Sequence, residues 1–504
     1  MKKMKKLLSL VLTVAMVVAM GITTFAATNY TITAPATDHQ YEIYQIFTGD
    51  LAEENGTKIL SNVKWGKNGT GTEGEKVAEA ILTELKDTTG TDSAKLAVIK
   101  KYAKLTSTPV ATITKGATYS ATAGYYLIKD KDNSLDPEDA DAYTTYIVEV
   151  VGDTTITPKS DVPTVEKKVK EKNDTTDIET GWQDAADYDI GDNVPFQLTG
   201  TMPSKLDDYS KYSYTFTDTL STGLTRCEEK DVHVYLVNGI DKTEVTSSFK
   251  ISDVTTNNQF TVSCSNVKAI SGVTKDSKFV VEYTATLNDN AKIGSTGNPN
   301  KVDLTFSNNP NGEGTGKTPE DKVIVFTYKI VANKVGEDGR TPLKGAGFTL
   351  YKYVPEKQKD GSSKLVKKVV KVFENSDDKE TSFEFKGIDA GKYVLEETKV
   401  PSKYNKAEDI EFEVVATYDE TAENPQLKSL EITNGGAFNF ETTKVTGDDE
   451  HITTNGTATT TIVNKIGSLL PSTGGIGTTI FYVIGGILMV GAGVILVSRR
   501  RRSK

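Results

Sequence analysis

Cysteine and histidine are scarce in this sequence of 504 residues, which contains only Cys227 and Cys264 and the histidines His39, His233 and His451. The three histidines lie far apart and show no zinc-ligand spacing, so we expect neither a metal nor a cofactor. In an oxidising compartment the two cysteines can form one disulfide, and the sequence leaves open whether they pair or stay as thiols. A chain this long with at most one disulfide needs another reinforcement if it must resist force or proteases.

Motifs for catalysis and for nucleic-acid binding are missing as well. The sequence has no glycine-rich phosphate loop and no Ser/His/Asp arrangement, so it does not support catalysis on an external substrate. The formal net charge is -10. The first 26 residues and residues 467–504 together hold nine basic residues and no acidic ones. The chain between them therefore carries about -19, and such a surface does not favour nucleic-acid binding.

The amino-terminal segment has the pattern of a secretory signal peptide. Four lysines lie between residues 2 and 6, an apolar run follows over residues 7–20, and the small residues Ala26 and Ala27 come next. The apolar run is too short for a membrane span. We therefore expect residues 1–26 to be removed after export.

The carboxyl-terminal segment, residues 467–504, has three parts in a fixed order. An uncharged apolar run over residues 480–497 is just long enough to cross a membrane, and four arginines at 499–502 would keep its end in the cytoplasm. The third part precedes the run and reads Leu470, Pro471, Ser472, Thr473 and Gly474. This arrangement resembles the LPXTG cell-wall sorting signal of Gram-positive surface proteins. The resemblance implies that a sortase cleaves between Thr473 and Gly474.

Between these segments the chain favours β-structure. It is rich in threonine, valine, tyrosine and glycine, and its length suits about three domains. We predict domains at residues 27–160, 161–323 and 324–466. In the first, alternating strands enclose two helical patterns at residues 75–86 and 92–105, whereas the other two show short strands separated by polar turns. The predicted fold is mostly β, with tandem immunoglobulin-like β-sandwiches, the first carrying helical insertions.

A motif in the third domain points to covalent chemistry. Residues 345–350 read GAGFTL, and residues 393–398 read YVLEET, which places Glu397 on the strand face of Tyr393 and Leu395. These strings resemble the B-type repeat domain of collagen adhesins (Cna B-type) and of pilins. The resemblance implies that Lys334 on the first strand and Asn464 on the last are joined by an intramolecular isopeptide bond, with Glu397 as the assisting acid.

Burial makes this reaction chemically reasonable. Desolvation lowers the pKa of a lysine and raises that of a carboxylic acid. A neutral amine can then attack the carboxamide carbon while the acid moves protons, and ammonia leaves. The alternative is that Glu397 forms a surface ion pair and Lys334 is solvated.

The second domain shows a similar set of residues. Lys167 alternates with valines, Asp218 follows an alternating aromatic strand, and Asn300 begins another alternating strand. The pattern resembles the middle isopeptide-forming domain of backbone pilins, which implies a Lys167–Asn300 bond assisted by Asp218. Lys168 and Asn308 are neighbours that could take these places instead, and ordinary surface charges are the alternative for the whole set.

The first domain also resembles pilin amino-terminal domains, but its residues offer no comparable triad. Its end, at residues 157–160, reads TPKS. Backbone pilins carry a Pro-Lys pair at this point, usually with different flanking residues. The resemblance implies that Lys159 joins the Thr473 carbonyl of another subunit; the alternative is one more exposed lysine.

The resemblance therefore extends over nearly the whole mature chain and identifies it as similar to the major (backbone) pilins of sortase-assembled Gram-positive pili. It implies a structural subunit rather than an enzyme, secreted and covalently attached to peptidoglycan. Its expected partners are a pilus-type sortase, identical subunits in the filament (fimbrium) and minor pilins. The alternatives are a monomeric wall-anchored adhesin, a minor pilin that binds a host or matrix ligand, and an anchored hydrolase, for which no catalytic residues are found.

Overall fold

The computed structural model describes residues 29–54, 57–88, 92–157, 162–310, 312–375, 377–434, 441–442, 445–447, 450–452, 456–466, 483–485 and 487–490. Strands dominate these residues, and they form several sheets packed face to face. The predicted fold class, mostly β with sandwich domains, is confirmed.

The first segment contains two α-helices as insertions between strands. Its elements are β1 (Tyr30–Thr33), β2 (Gln40–Glu54), β3 (Thr57–Trp65), α1 (Glu79–Asp87), α2 (Asp92–Lys100), β4 (Ala111–Thr114), β5 (Thr118–Ala121), β6 (Gly124–Asp130), β7 (Thr145–Val150) and β8 (Thr154–Thr155). One sheet has the order β3-β2-β6-β7 with β4 paired to β2, and another has the order β5-β1-β8. Leu82 and Leu85 lie one helical turn apart in α1, and both are buried with Phe47.

The second segment is a two-sheet sandwich. Its strands are β9 (Val165–Val169), β10 (Lys172–Asn173), β11 (Ile178–Glu179), β12 (Ala185–Asp187), β13 (Asn193–Thr201), β14 (Tyr214–Leu220), β15 (Leu224–Arg226), β16 (His233–Asn238), β17 (Asp241–Glu244), β18 (Lys250–Ile251), β19 (Gln259–Cys264), β20 (Lys278–Leu287), β21 (Asn298–Ser307), β22 (Thr315–Lys317) and β23 (Asp321–Phe326). Short 3-10 turns lie at Leu206–Asp208, Glu229–Asp231, Thr246–Ser248, Val267–Ala269 and Gly294–Thr296.

The two sheets of this sandwich have the orders β12-β23-β21-β14-β19-β18 and β17-β16-β20-β13-β9. Burial alternates strictly along β13 and β14, as expected when one face of each strand points into the core. The large aromatic side chains Phe196, Phe216 and Phe260 fill the space between the sheets.

The third segment is a second sandwich. Its strands are β24 (Tyr328–Val335), β25 (Gly347–Lys357), β26 (Ser363–Phe373), β27 (Ser382–Ile388), β28 (Gly391–Lys399), β29 (Ile410–Tyr418), β30 (Leu427–Asn434), β31 (Glu441–Thr442), β32 (Val445–Gly447), β33 (Glu450–Ile452) and β34 (Thr457–Val463). One sheet has the order β27-β24-β34-β31 and the other β26-β25-β28-β29-β30, with a separate β32-β33 pair. The first strand, β24, and the last, β34, are parallel neighbours.

Strand β23 is shared by the two sandwich cores. Val323 and Val325 pack into the core of the second segment, whereas Ile324 and Phe326, on the opposite face, pack into the core of the third. The predicted boundary at residue 323 lies within this strand. Because alternate side chains of β23 point to opposite faces, this one strand packs into both sandwich cores and so connects them.

Cys227 and Cys264 are both free thiols, so the disulfide that the sequence left open is not formed. Cys227 follows β15 and donates its backbone N–H to Thr284 of β20, in one sheet of the second sandwich. Cys264 ends β19, which belongs to the other sheet.

The described residues contain no helix that is long and apolar enough to span a membrane. Of the predicted span over residues 480–497, the structure describes residues 483–485 and 487–490, which are helical. The predicted span stays a prediction.

Candidate cross-link sites

The first candidate site lies in the core of the second sandwich and brings together the three residues predicted for it. Lys167 on β9 belongs to one sheet, while Asp218 on β14 and Asn300 on β21 belong to the other. The alternation of each strand points all three side chains inward. Each is at most 1% exposed.

The amine of Lys167 is held by polar and aromatic groups. Its Nζ donates a short hydrogen bond to Oδ2 of Asp218 and another, 3.1 Å long, to the hydroxyl of Tyr283. It also lies 5.4 Å from the centre of the Phe196 ring. These two polar groups replace the water that an exposed ammonium would bind.

Tyr283 is a member of this site that the sequence reasoning missed. Its hydroxyl donates to Asp218 Oδ2 at 2.9 Å and accepts from Nδ2 of Asn300 at 2.7 Å. The alternation of β20 indicates that Tyr283 faces the core with Val281 and Ala285. It does not indicate which residues of the opposite sheet the hydroxyl meets.

Lys168 and Asn308, the alternative members, lie elsewhere. Lys168 points out of the core and pairs with Asp184 at 2.6 Å. Asn308 is buried, but its Nδ2 donates to the backbone carbonyl of Asp141 in the first segment at 3.2 Å. The structure therefore groups Lys167, rather than its neighbour, with the acid and the amide.

Burial shifts both ionisable partners of this site towards their neutral forms. Desolvation lowers the pKa of Lys167, against the attraction of Asp218. Desolvation likewise raises the pKa of Asp218, against the influence of Lys167 and Tyr283. Within the described part of the chain, Asp218 Oδ1 and Asn300 Oδ1 are buried oxygens without a hydrogen-bond donor. A proton on the Asp218 carboxyl would supply such a donor.

The second candidate site lies in the third sandwich and again brings together the predicted residues. Lys334 of β24 is opposite Ile462 in the parallel β24–β34 pair, and Asn464 follows the end of β34. Glu397 reaches them from β28 in the facing sheet. All three residues are at most 2% exposed.

At this site the carboxylate contacts both nitrogens. Glu397 accepts from Nδ2 of Asn464 at 2.9 and 3.1 Å, and its Oε1 lies 3.5 Å from Nζ of Lys334. The amine also donates a short hydrogen bond to Oδ1 of Asn464 and one of 3.3 Å to the carbonyl of Ile462. Desolvation lowers the pKa of Lys334 to about 8, so a sizeable neutral fraction exists near neutral pH.

A third buried lysine, Lys352 on β25, has different surroundings. Its Nζ forms ion pairs with Asp389 at 2.5 Å, Asp189 at 2.8 Å and Asp174 at 3.3 Å. Burial by itself lowers the pKa of Lys352, but the attraction of these three carboxylates outweighs it and raises the pKa above its usual value. Lys352 is therefore a permanent cation at the junction of the second and third segments.

Four carboxylates converge at this junction, at Asp174, Asp189, Asp192 and Asp389. The Lys352 ammonium already pairs with three of them. The acidic residues thus serve as counter-ions of a lysine, and we assign no metal to them. The sequence analysis missed this cluster because its members come from distant parts of the chain.

Several predicted functional residues lie outside the described residues. They are the acceptor candidate Lys159 and the sorting motif Leu470, Pro471, Ser472, Thr473 and Gly474. The signal peptide, residues 1–26, also lies outside them. These assignments stay predictions.

Comparisons with known proteins agree with the sequence motifs. Residues 328–426 match the SpaA prealbumin-like fold domain, and residues 462–504 match the LPXTG cell wall anchor motif. The chain is 27% identical over 414 residues to the trypsin-resistant surface T6 protein of Streptococcus pyogenes serotype M6. This alignment covers 68% of this chain and 70% of that protein.

One solved structure shows the same fold. The T6 backbone pilin of serotype M6 Streptococcus pyogenes, described as a modular three-domain structure, matches with a TM-score of 0.50 and 19% identity, over 88% of this chain and 100% of that one. The full-length major pilin SpaD of Corynebacterium diphtheriae matches with a TM-score of 0.45 and 17% identity, over 87% and 98% of the two chains.

Proposed function

Because this chain is homologous to the T6 backbone pilin and carries an LPXTG cell wall anchor motif, we propose that it is the repeating structural subunit of a covalently polymerised pilus. It is a cell-wall-attached surface protein of a Gram-positive bacterium. Its relatives are structural pilins rather than enzymes. The observation that carries the proposal is the pair of buried Lys–acid–Asn sites, one in each sandwich.

In this proposal the subunit has three domains, at residues 27–160, 161–323 and 324–466, between a signal peptide and the sorting signal. The apolar run at residues 480–497 holds the exported chain at the membrane. A pilus-type sortase then cleaves the Thr473–Gly474 bond and transfers the Thr473 carbonyl to Lys159 of an identical subunit. Repeating one head-to-tail contact produces an open filament.

Each buried site forms an intramolecular isopeptide bond, Lys167 to Asn300 and Lys334 to Asn464. The lysine ammonium first gives a proton to the neighbouring carboxylate, and the neutral Nζ then attacks the carboxamide carbon. As the new C–N bond forms and the bond to Nδ2 breaks, ammonia leaves. Of the five N–H protons at the start, one stays on the amide, three leave with ammonia, and one is held by the acid until solvent removes it.

These bonds suit a filament under tension. In the third sandwich the bond would join the first strand, β24, to the residue just after the last strand, β34. Because Lys334 and Asn464 flank nearly all of that domain, a pulling force would pass through the covalent bond and bypass the strands between them. Asp218 and Glu397 each assist one bond-forming reaction in the chain to which they belong, and neither acts on another molecule.

The polymer is tested by blotting cell-wall extracts boiled in SDS, from bacteria that express the wild-type chain, Lys159→Ala, or the matched control Lys211→Ala, which removes an exposed lysine. We expect a high-mass ladder in the wild type and the control, and a single band in Lys159→Ala. A ladder in all three would retain the polymer and move the acceptor to another lysine. A single band in the wild type would overturn the proposal in favour of a monomeric wall-anchored adhesin.

A further inference from the structure

The two cross-link sites differ in how the acid meets the nitrogen that must leave. In the third sandwich the Glu397 carboxylate lies 2.9 Å from Nδ2 of Asn464 and 3.5 Å from Nζ of Lys334, so one group reaches both nitrogens. It can accept a proton from the amine and deliver a proton to the leaving group directly.

In the second sandwich the acid is an aspartate, which is one methylene shorter than glutamate. Asp218 bonds to Nζ of Lys167, and the hydrogen bond to Nδ2 of Asn300 is made by the Tyr283 hydroxyl at 2.7 Å. That hydroxyl in turn donates to Asp218 Oδ2 at 2.9 Å. A continuous path of hydrogen bonds thus runs from the acid through the tyrosine to the leaving nitrogen.

We propose that Tyr283 relays a proton from Asp218 to Nδ2 of Asn300 during formation of the Lys167–Asn300 bond, an inference that rests on the proposed isopeptide function. Asp218 takes a proton from the Lys167 ammonium, and Nζ attacks the Asn300 carbon. The protonated carboxyl then gives its proton to the Tyr283 oxygen while the tyrosine gives its own to Nδ2, and the carboxylate so freed takes the second proton that Nζ must lose to become an amide N–H. The C–Nδ2 bond breaks, and the tyrosine ends in its starting form.

The packing around Tyr283 suits this role. Its ring is stacked on Phe196 at 5.5 Å between centroids and meets the edge of Phe260 at 5.2 Å, so the hydroxyl is held in place. Burial raises the pKa of Tyr283 well above its usual value. The hydroxyl therefore stays protonated and can pass one proton on only as it receives another.

The test measures how fast each cross-link forms in the full-length chain. The chain is synthesised without cells, samples are quenched in acid at intervals, and the digested peptides are quantified by mass, since each cross-link removes one ammonia. We expect Tyr283→Phe to slow the Lys167–Asn300 bond about a hundredfold or more, the usual size of an acid–base contribution. The Lys334–Asn464 bond of the same molecules should form at the wild-type rate, which serves as the internal control for folding.

A second variant separates the relay from simple packing. Asp218→Glu combined with Tyr283→Phe reproduces the glutamate arrangement of the third sandwich, and we expect it to restore most of the lost rate. Equal rates in the wild type and Tyr283→Phe would overturn the relay. A slow double variant that forms its Lys334–Asn464 bond normally would also overturn it, leaving Tyr283 a packing role. Absence of the Lys167–Asn300 peptide from the wild type would instead refute the proposed isopeptide function.

Discussion

The two proposed cross-linking lysines and Lys352 are equally buried, yet their surroundings assign them different chemistry. Lys167 and Lys334 each form an ion pair with one carboxylate, whereas Lys352 forms ion pairs with three. Desolvation dominates for the first two and lowers their pKa, while the summed attraction of the acids dominates for the third. Burial alone therefore does not make a lysine nucleophilic; the number of neighbouring charges decides it.

Lys352 instead holds two segments together without a covalent bond. Asp189 belongs to the second segment and Asp389 to the third, and Lys352 pairs with both. The backbone N–H of Asp389 also donates to Asp189 Oδ1 at 2.9 Å, and Ile190 N–H donates to the Gly387 carbonyl at 2.9 Å. The three lysines thus represent two ways of reinforcing a β-rich chain: the proposed covalent bonds within the sandwiches, and ion pairs between them.

The largest effect should come from Glu397→Gln, which keeps the size of the side chain but removes the acid. Without a proton acceptor the Lys334–Asn464 bond should not form. The loop it would close spans 130 residues, so by the chain-entropy relation for cross-links the free energy of unfolding should fall by about 5 kcal/mol. Urea unfolding and peptide masses measure both effects, with Asn424→Ala as a surface control. A cross-linked peptide at wild-type yield in Glu397→Gln would contradict the role of the acid.

Lys352→Met should be the next most damaging change. Methionine has a similar length but leaves Asp389 buried without its cation, and breaking a buried ion pair in this way costs about 3–5 kcal/mol. Thermal unfolding should show the loss, with the exposed Lys344→Met as the matched control. Both isopeptide bonds should still form, because Lys352 takes part in neither. An unchanged unfolding temperature would mean that Lys352 does not hold the junction.

The smallest effect concerns pH. Burial first, and then repulsion from Asp189 and Asp174, raises the pKa of Asp192 to about 6. The folded state therefore binds this proton more tightly than the unfolded state between about pH 4 and 6, so this group's contribution to stability falls as the pH rises through that range. Asp192→Asn should make the dependence of the unfolding midpoint on pH flatter. A profile as steep as that of the wild type would assign the dependence to other groups.

Much of each cross-link site could be predicted from the sequence because alternation is local. Val165, Lys167 and Val169 share one strand face, so a lysine among core residues is visible without a structure. Phe348, Leu350 and Lys352 show the same pattern on β25. The sequence reasoning did not use it there, because the family motif on that strand, GAGFTL at residues 345–350, ends before Lys352.

The rest depended on contacts across the sandwiches. Tyr283 lies on β20, and its meeting with Asp218 and Asn300 depends on how two sheets stack. In the cluster around Lys352, the lysine pairs with Asp174 across 178 positions, and Asp389 contacts Asp189 across 200. Strand alternation shows which side chains face inward but not which distant residues they contact. The members of neither site could therefore all be identified from the sequence.

The sequence by itself determined the mostly β fold, the terminal sorting elements and which lysines, acids and asparagines face inward, because these follow from strand periodicity and short motifs. Tertiary structure alone decided which inward-facing groups meet and what charge they carry. In the second sandwich it placed Tyr283 between Asp218 and Asn300. In the third sandwich it let the longer Glu397 reach both Lys334 and Asn464, and it surrounded Lys352 with three carboxylates. The physical reason is that pKa and hydrogen bonding depend on the sum of neighbours in space, which strand pairing and sheet stacking set over long sequence distances.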